Sequence, residues 1–233
     1  MIEDRPSNPR IRTKISQIDN GLDETLYQHI DKLRLGGYSV DEFQNALAEF
    51  CRAQASDPNF SALGDKTSVE NQSHWLIKRH IDYCRYSALF YHVAENEAHP
   101  PHHHHNVIST QIVISGTLQL REYERIERRD DGRLVLKLVS DRMIGPGDIF
   151  QASEWSKNVH WFCAEGGPAV IFNINARGFE DKTFDTDEAA FGRCYIDPTQ
   201  FDNTGLIITE EFDAERAHEL FQGRRLDEFP IPA

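Results

Sequence analysis

Apolar positions recur at helical spacing from Leu22: Leu22, Leu26, Ile30 and Leu33 form one stripe, which the Gly36-Gly37 pair stops. Ser39 and Glu42 then make a capping box, in which each side chain can satisfy the other's backbone amide, ahead of a second stripe on Val40, Phe43, Leu47 and Phe50. The segment 55–66, rich in Ser, Asp, Pro, Asn and Gly, reads as a loop. Thr67 and Glu70 repeat the capping signature and predict a third helix carrying Trp75, Leu76 and Ile81. From about Ser87 the period changes to two. Along Val107 to Ile114, Ser109, Gln111 and Val113 fall on one face and Ile108, Thr110, Ile112 and Ile114 on the other, as in a strand buried on both sides. Gly116-Thr117 turns the chain into Leu118 to Tyr123. Asp131-Gly132, ahead of Leu134 to Val139, predicts a hairpin with a type I′ turn, which takes positive φ at both central residues. Short strands follow at 148–151, 160–164 and 169–175. Phe212, Arg216, Leu220 and Phe221 mark a last amphipathic helix. Many short strands with no helix between them predict a mainly β fold, an antiparallel jelly-roll sandwich or barrel. The expected division is a helical segment at 1–82 packed on the barrel, the barrel itself at 83–178, and a C-terminal extension with one helix at 179–233.

A length of 233 residues with 39% apolar content fits one compact domain with a polar appendage. The net charge of −13 opposes nucleic acid as a partner, since phosphate binding would have to act against the overall field. No apolar run approaches the roughly 18 residues that a membrane span needs. The opening Met-Ile-Glu-Asp-Arg-Pro has neither a basic nor an apolar targeting region, so a soluble, cytoplasmic protein is expected. Cys51, Cys84, Cys163 and Cys194 form no CxxC pair and read as reduced thiols.

Histidine alters this picture. Of 11 histidines, five lie within seven residues, at His99 and His102 to His105. His-x-His at the start of a strand aims both imidazoles to one side, because side chains two apart share a face. Two registers are open, His102 with His104 and His103 with His105. A third metal ligand has to come from elsewhere, and His160 opens another strand. Taken alone, His160 is an ordinary core or surface histidine.

Pro101-His102-His103-His104 with Gly116 twelve residues after His104, and Gly145-Pro146-Gly147-Asp148 with His160 twelve residues after Asp148, resemble the two motifs of the cupin superfamily. Within it the sequence is most similar to the iron thiol dioxygenases, the group of cysteamine dioxygenase, plant cysteine oxidase and cysteine dioxygenase. Pro100-Pro101-His102-His103-His104 is like their Pro-Leu-His-Asp-His, Gly116-Thr117-Leu118 with Tyr123 is like their Gly-Ser-Leu and following Tyr, and Pro146-Gly147-Asp148 through Asn158-Val159-His160 has their longer loop. The likeness runs from about Val93 to Asn175. It implies a cupin jelly-roll barrel with His102, His104 and His160 on Fe(II), and puts His103 where the family has Asp; the 103/105 register stays open.

Most cupins add a glutamate on the strand after His-x-His, whereas the corresponding inward positions here are Ser109 and Gln111. Three neutral imidazoles leave a divalent metal its full charge, which favours an anionic thiolate. The resemblance therefore implies a non-haem Fe(II) dioxygenase that converts a small thiol or a peptide N-terminal cysteine, with O2, to a sulfinic acid. It also makes Cys194 and Tyr195 candidates for the active-site Cys and Tyr of the family, although the family has a residue between them and here they are adjacent. Tyr83-Cys84-Arg85 resembles the Tyr-x-Arg that grips the substrate carboxylate, but Arg85 stands only 17 residues before His102 and also reads as a surface arginine. Without such a clamp, cysteamine or a peptide N-terminus is favoured over free cysteine. His92 and His99 flank the barrel mouth, Trp161 and Phe162 read as core, and the acidic runs at 180–188 and 210–215 read as solvated faces. Two other functions compete: a cupin dioxygenase or isomerase acting on a carbon substrate with Gln111 near the metal, and a cupin that binds a metal or ligand without turnover.

Overall fold

The structure, a computed structural model, describes residues 21–81, 84–95, 97–178 and 193–232. Helices α1 (Leu22–Arg34) and α2 (Val40–Ala55) follow the two apolar stripes. The capping box at Ser39 is formed: Glu42 N–H donates to Ser39 Oγ at 3.2 Å, and Ser39 N–H donates to Glu42 Oε2 at 2.7 Å. The predicted loop is instead a short helix, α3 (Pro58–Ser61), running into a 3-10 turn. Asp57 caps α3 by accepting from Asn59 N–H at 2.9 Å, and Pro58 fits its first turn.

The third helix expected from Thr67 is absent, and Ser73–Ile81 is a strand, β1. Thr67 Oγ1 donates to the Gly64 carbonyl at 2.7 Å and so does not cap a following helix. The Trp75-Leu76-Ile77 run, rich in residues that suit a pleated surface, pairs antiparallel with β2 (Cys84–Val93). A boundary at 82 would therefore cut a hairpin, and β1 belongs to the barrel.

The remaining strands are β3 (Ala98–His104), β4 (Val107–Ser115), β5 (Leu118–Arg128), β6 (Leu134–Ile144), β7 (Ile149–Ser153), β8 (Val159–Ala164), β9 (Ala169–Arg177), β10 (Arg193–Ile196), β11 (Leu206–Thr209) and β12 (Glu211–Phe212). They form two sheets, ordered β1-β2-β9-β4-β7 and β11-β6-β5-β8-β3-β10-β12. The C-terminal part thus adds three strands to the second sheet besides its helix, α4 (Ala214–Phe221). The β5–β6 hairpin forms, but only Gly132 takes positive φ, at 86°. Its amide donates to the Arg129 carbonyl at 2.9 Å, and a turn of three residues closes the hairpin in place of type I′.

Apolar side chains divide into layers around the sheets. The N-terminal helices cover the outer face of the first sheet at Tyr86, Phe90, Ile108, Ile112, Phe172 and Ile174. Val93, Val113, Leu118, Leu120, Phe150, Phe162 and Ile171 fill the space between the sheets. Trp161, Tyr123 and Leu136 on the outer face of the second sheet pack under Phe221, Leu226 and Phe229 from the C-terminal part. The fold is mainly β, as predicted, with two facing antiparallel sheets in a jelly-roll arrangement and an N-terminal helical segment. Gly116, at φ 79°, holds the β4–β5 turn where a Cβ would lie 2.4 Å from the Pro168 carbonyl oxygen. No helix among the described residues is long and apolar enough to cross a membrane.

Candidate metal centre

Strand β3 is antiparallel to both β8 and β10, with His102 opposite His160 on one side and opposite Tyr195 on the other. Residues paired across a ladder share a face, so these three side chains point between the sheets, and His104 follows two residues on. The structure therefore brings His102, His104 and His160 together, all within 6% of full burial, with one ring nitrogen of each inside a 4.8 Å cluster. Ring centroids are 4.5 Å apart for His102 and His160, 4.9 Å for His102 and His104, and 5.2 Å for His104 and His160.

His102 Nδ1 lies 2.8 Å from the Pro100 carbonyl. A carbonyl only accepts, so Nδ1 carries the proton and Nε2 presents its lone pair 2.9 Å from His160 Nε2. His104 Nε2 is buried with no hydrogen-bond partner among the described residues. Burial holds His102 and His104 far below the usual imidazole pKa, with the positive charge of Arg193 adding to the effect. Burial, then Arg193, lowers His160 to about 3. The three rings are neutral near pH 7, which is the form that binds a metal. Three buried ring nitrogens that converge, with His104 Nε2 lacking a hydrogen-bond partner, fit a first-row divalent ion.

The cavity beside them is also lined by Gln111 on β4, Asn173 and Asn175 on β9, Tyr91 on β2, Phe162 on β8 and Arg193 on β10. No carboxylate lines it among the described residues. Ser109, the other inward position of β4, is buried and donates to the Ala152 carbonyl at 3.5 Å. Glu122 stands opposite His160 in the β5–β8 ladder, but its carboxylate is held by Arg142 at 3.2 Å and Lys157 at 3.6 Å. His99 stacks on Phe162 at 4.9 Å and meets the His102 ring edge-on at 5.0 Å, which places it beside the cluster in the cavity wall. His92 takes the face of β2 opposite Tyr91, toward the helices.

Two expected site residues are placed elsewhere. Cys194 is opposite His103 across the β3–β10 ladder, so it occupies the outer face while its neighbour Tyr195 faces the cavity, 6.1 Å from the His102 ring. Adjacent residues of a strand point to opposite sides, which separates the Cys from the Tyr and removes Cys194 from the inner site. Arg85 is exposed, pairs with Arg177 and does not line the cavity. Tyr83 and the run 180–188 lie outside the described residues. The 103/105 pair points outward, to Cys194 and Glu211. Arg193, Asn173 and Asn175 were missed by the sequence reading. The two asparagines were visible as polar positions alternating with Phe172 and Ile174, whereas Arg193 carried no local signal.

No protein-family model and no curated protein matches the chain. Among solved structures it is similar to the 11S globulin from Wrightia tinctoria, at 16% identity over 40% of this chain and 21% of that chain, TM-score 0.33. The chain thus matches about a fifth of the globulin's length. A double-stranded beta-helix protein from Klebsiella pneumoniae is matched at 16% identity over 49% of this chain and 82% of that one, TM-score 0.35. KdgF from Halomonas sp. is matched at 17% identity over 48% and 85%, TM-score 0.32.

Proposed function

We propose that this chain is a non-haem iron(II) dioxygenase that adds both atoms of O2 to the sulfur of a small thiol or a peptide N-terminal cysteine, R–SH + O2 giving R–SO2H. The observation that carries this reading is the meeting of three buried, neutral imidazoles in a cavity wall without a carboxylate. Iron held by His102, His104 and His160 would supply adjoining open positions for a thiolate and dioxygen, and the redox capacity to join them.

The chain's own residues prepare that site. Pro100 fixes the tautomer of His102 through Nδ1 and so keeps Nε2 free to bind. Arg193 adds a positive charge at the cavity, which favours the thiolate over the thiol and can receive a substrate carboxylate. Tyr195 offers a phenol on the same face as His102. Phe162 and Ile171 close the apolar side of the cavity and limit water. Since the wall leaves little room, the reacting part of the substrate is small.

Chain loaded with Fe(II) without oxygen, then given air and a panel of cysteamine, cysteine and Cys-initiated peptides, should consume one O2 per thiol and yield a product heavier by two oxygen atoms. Full iron loading with no thiol-dependent O2 uptake would overturn the reading. Gln111 in the cavity wall supports a second reading, a carbon substrate. Oxygen uptake with an enolisable carbon acid but with no thiol would select it.

A further inference from the structure

The outer face of the same strand carries a second group of donors. His103, His105, Cys194 and Glu211 each place one ligand atom within 4.8 Å of the others. They come from β3 and the bend after it, β10 and β12, which are neighbours in the second sheet. Cys194 is cross-strand partner to His103, and Glu211 to Ile196, two residues beyond Cys194, so the ladders themselves put these side chains on one face.

We propose that this group is a four-coordinate zinc site, separate from the inner cluster and independent of the activity proposed above. Two imidazoles, a thiolate and a carboxylate are a donor set that zinc takes up, and the four ligand atoms all lie within 4.8 Å of one another. His103 is completely buried, and its Nδ1 has no hydrogen-bond partner among the described residues. Its Nε2 stands 2.7 Å from Glu211 Oε1, the oxygen that the His105 ring also faces. His105 Nε2 is 3.2 Å from the same oxygen, while its Nδ1 faces Glu154 Oε1 at 3.9 Å. A carboxylate behind Nδ1 is the usual support of a metal-bound histidine. Cys194 Sγ lies within 4.8 Å of a ring nitrogen of both His103 and His105.

The charges balance, since a divalent ion with one thiolate and one carboxylate is neutral. Arg128 also reaches Glu211 Oε1, and rotation of the carboxylate gives one oxygen to the guanidinium and the other to the metal. Filled, the site would tie β10 and β12 to the strand that bears His102 and His104, and so hold Tyr195 beside the inner cluster. Without metal, the same residues are an ion cluster around Glu211.

The test uses the full chain, stripped of metal and kept reduced with a non-thiol reductant, titrated with Co(II) and then Zn(II). Wild type should bind two equivalents, with a near-ultraviolet thiolate-to-cobalt band that zinc displaces. The double variant His104→Ala/His160→Ala should keep one equivalent and the band. Cys194→Ser, nearly isosteric, should lose the band and one equivalent, and His105→Gln should do the same. Circular dichroism checks that each variant is folded. Absence of the band in folded wild type, its survival in Cys194→Ser, or a stoichiometry that falls only with the inner histidines would overturn the proposal.

Discussion

His160→Ala separates a metal ligand from a core histidine. The ring is 3% exposed and lies among His102 at 4.5 Å, His104 at 5.2 Å, Phe162 at 5.7 Å and Phe150 at 6.0 Å. Truncating it leaves a cavity that costs about 2–3 kcal/mol by analogy with other large-to-small core changes. It also removes a buried Nδ1 with no partner, a group whose burial costs about 1–3 kcal/mol. The two effects nearly cancel, and losing the 2.9 Å hydrogen bond to His102 Nε2 adds about 1 kcal/mol, so the metal-free chain should lose about 1–2 kcal/mol of stability. Metal binding has no such compensation. Losing a residue that only supports a ligand commonly costs about 10–100-fold in affinity, so losing one of the three ligands should cost at least about 100-fold, or about 2.7 kcal/mol. Chelator-competition titration with Fe(II) under anaerobic conditions reads the affinity, and thermal melts of the metal-free proteins read the fold. Equal metal affinity, or a melt that collapses while the metal still binds, would refute the reasoning.

Gly116→Ala should destabilise by about 3 kcal/mol or more, since its φ of 79° disfavours a side chain and the Cβ would meet backbone at 2.4 Å; chemical denaturation measures this. Ser39→Ala should cost about 1 kcal/mol by the same assay, because it removes the formed cap of α2. The metal-free chain should lose stability as pH falls below about 6.5: His102, His104 and His160 have lowered folded values and so bind protons mainly when unfolded. Each contributes up to about 2 kcal/mol of loss between pH 6.5 and 5, and melts across that range that do not shift would contradict neutral buried rings. Arg193→Gln should raise KM for anionic thiols about tenfold or more in the oxygen-uptake assay while iron content stays constant; an unchanged KM would exclude its role at the cavity.

Local pattern was enough for α2, for the doubly buried β4, and for the rule that His102 and His104 share one side of a strand and His103 and His105 the other. These follow from the periods of helix and strand, which depend only on neighbours along the chain. Which side is the interior is settled by the first sheet, which closes over His102 and His104 and supplies Asn173 and Gln111 opposite them. The same limit explains the misread stretch at Trp75: its helical signature loses to pairing with β2, a partner that local propensity does not contain. Cys194 and Tyr195 are adjacent in sequence and were read as one site. Pairing of β10 with β3 sends them to opposite faces, one toward His103 and Glu211 and the other toward His102. Alternation along a strand determines that two neighbours part, but only the long-range contact of strands about 90 residues apart decides what each of them meets.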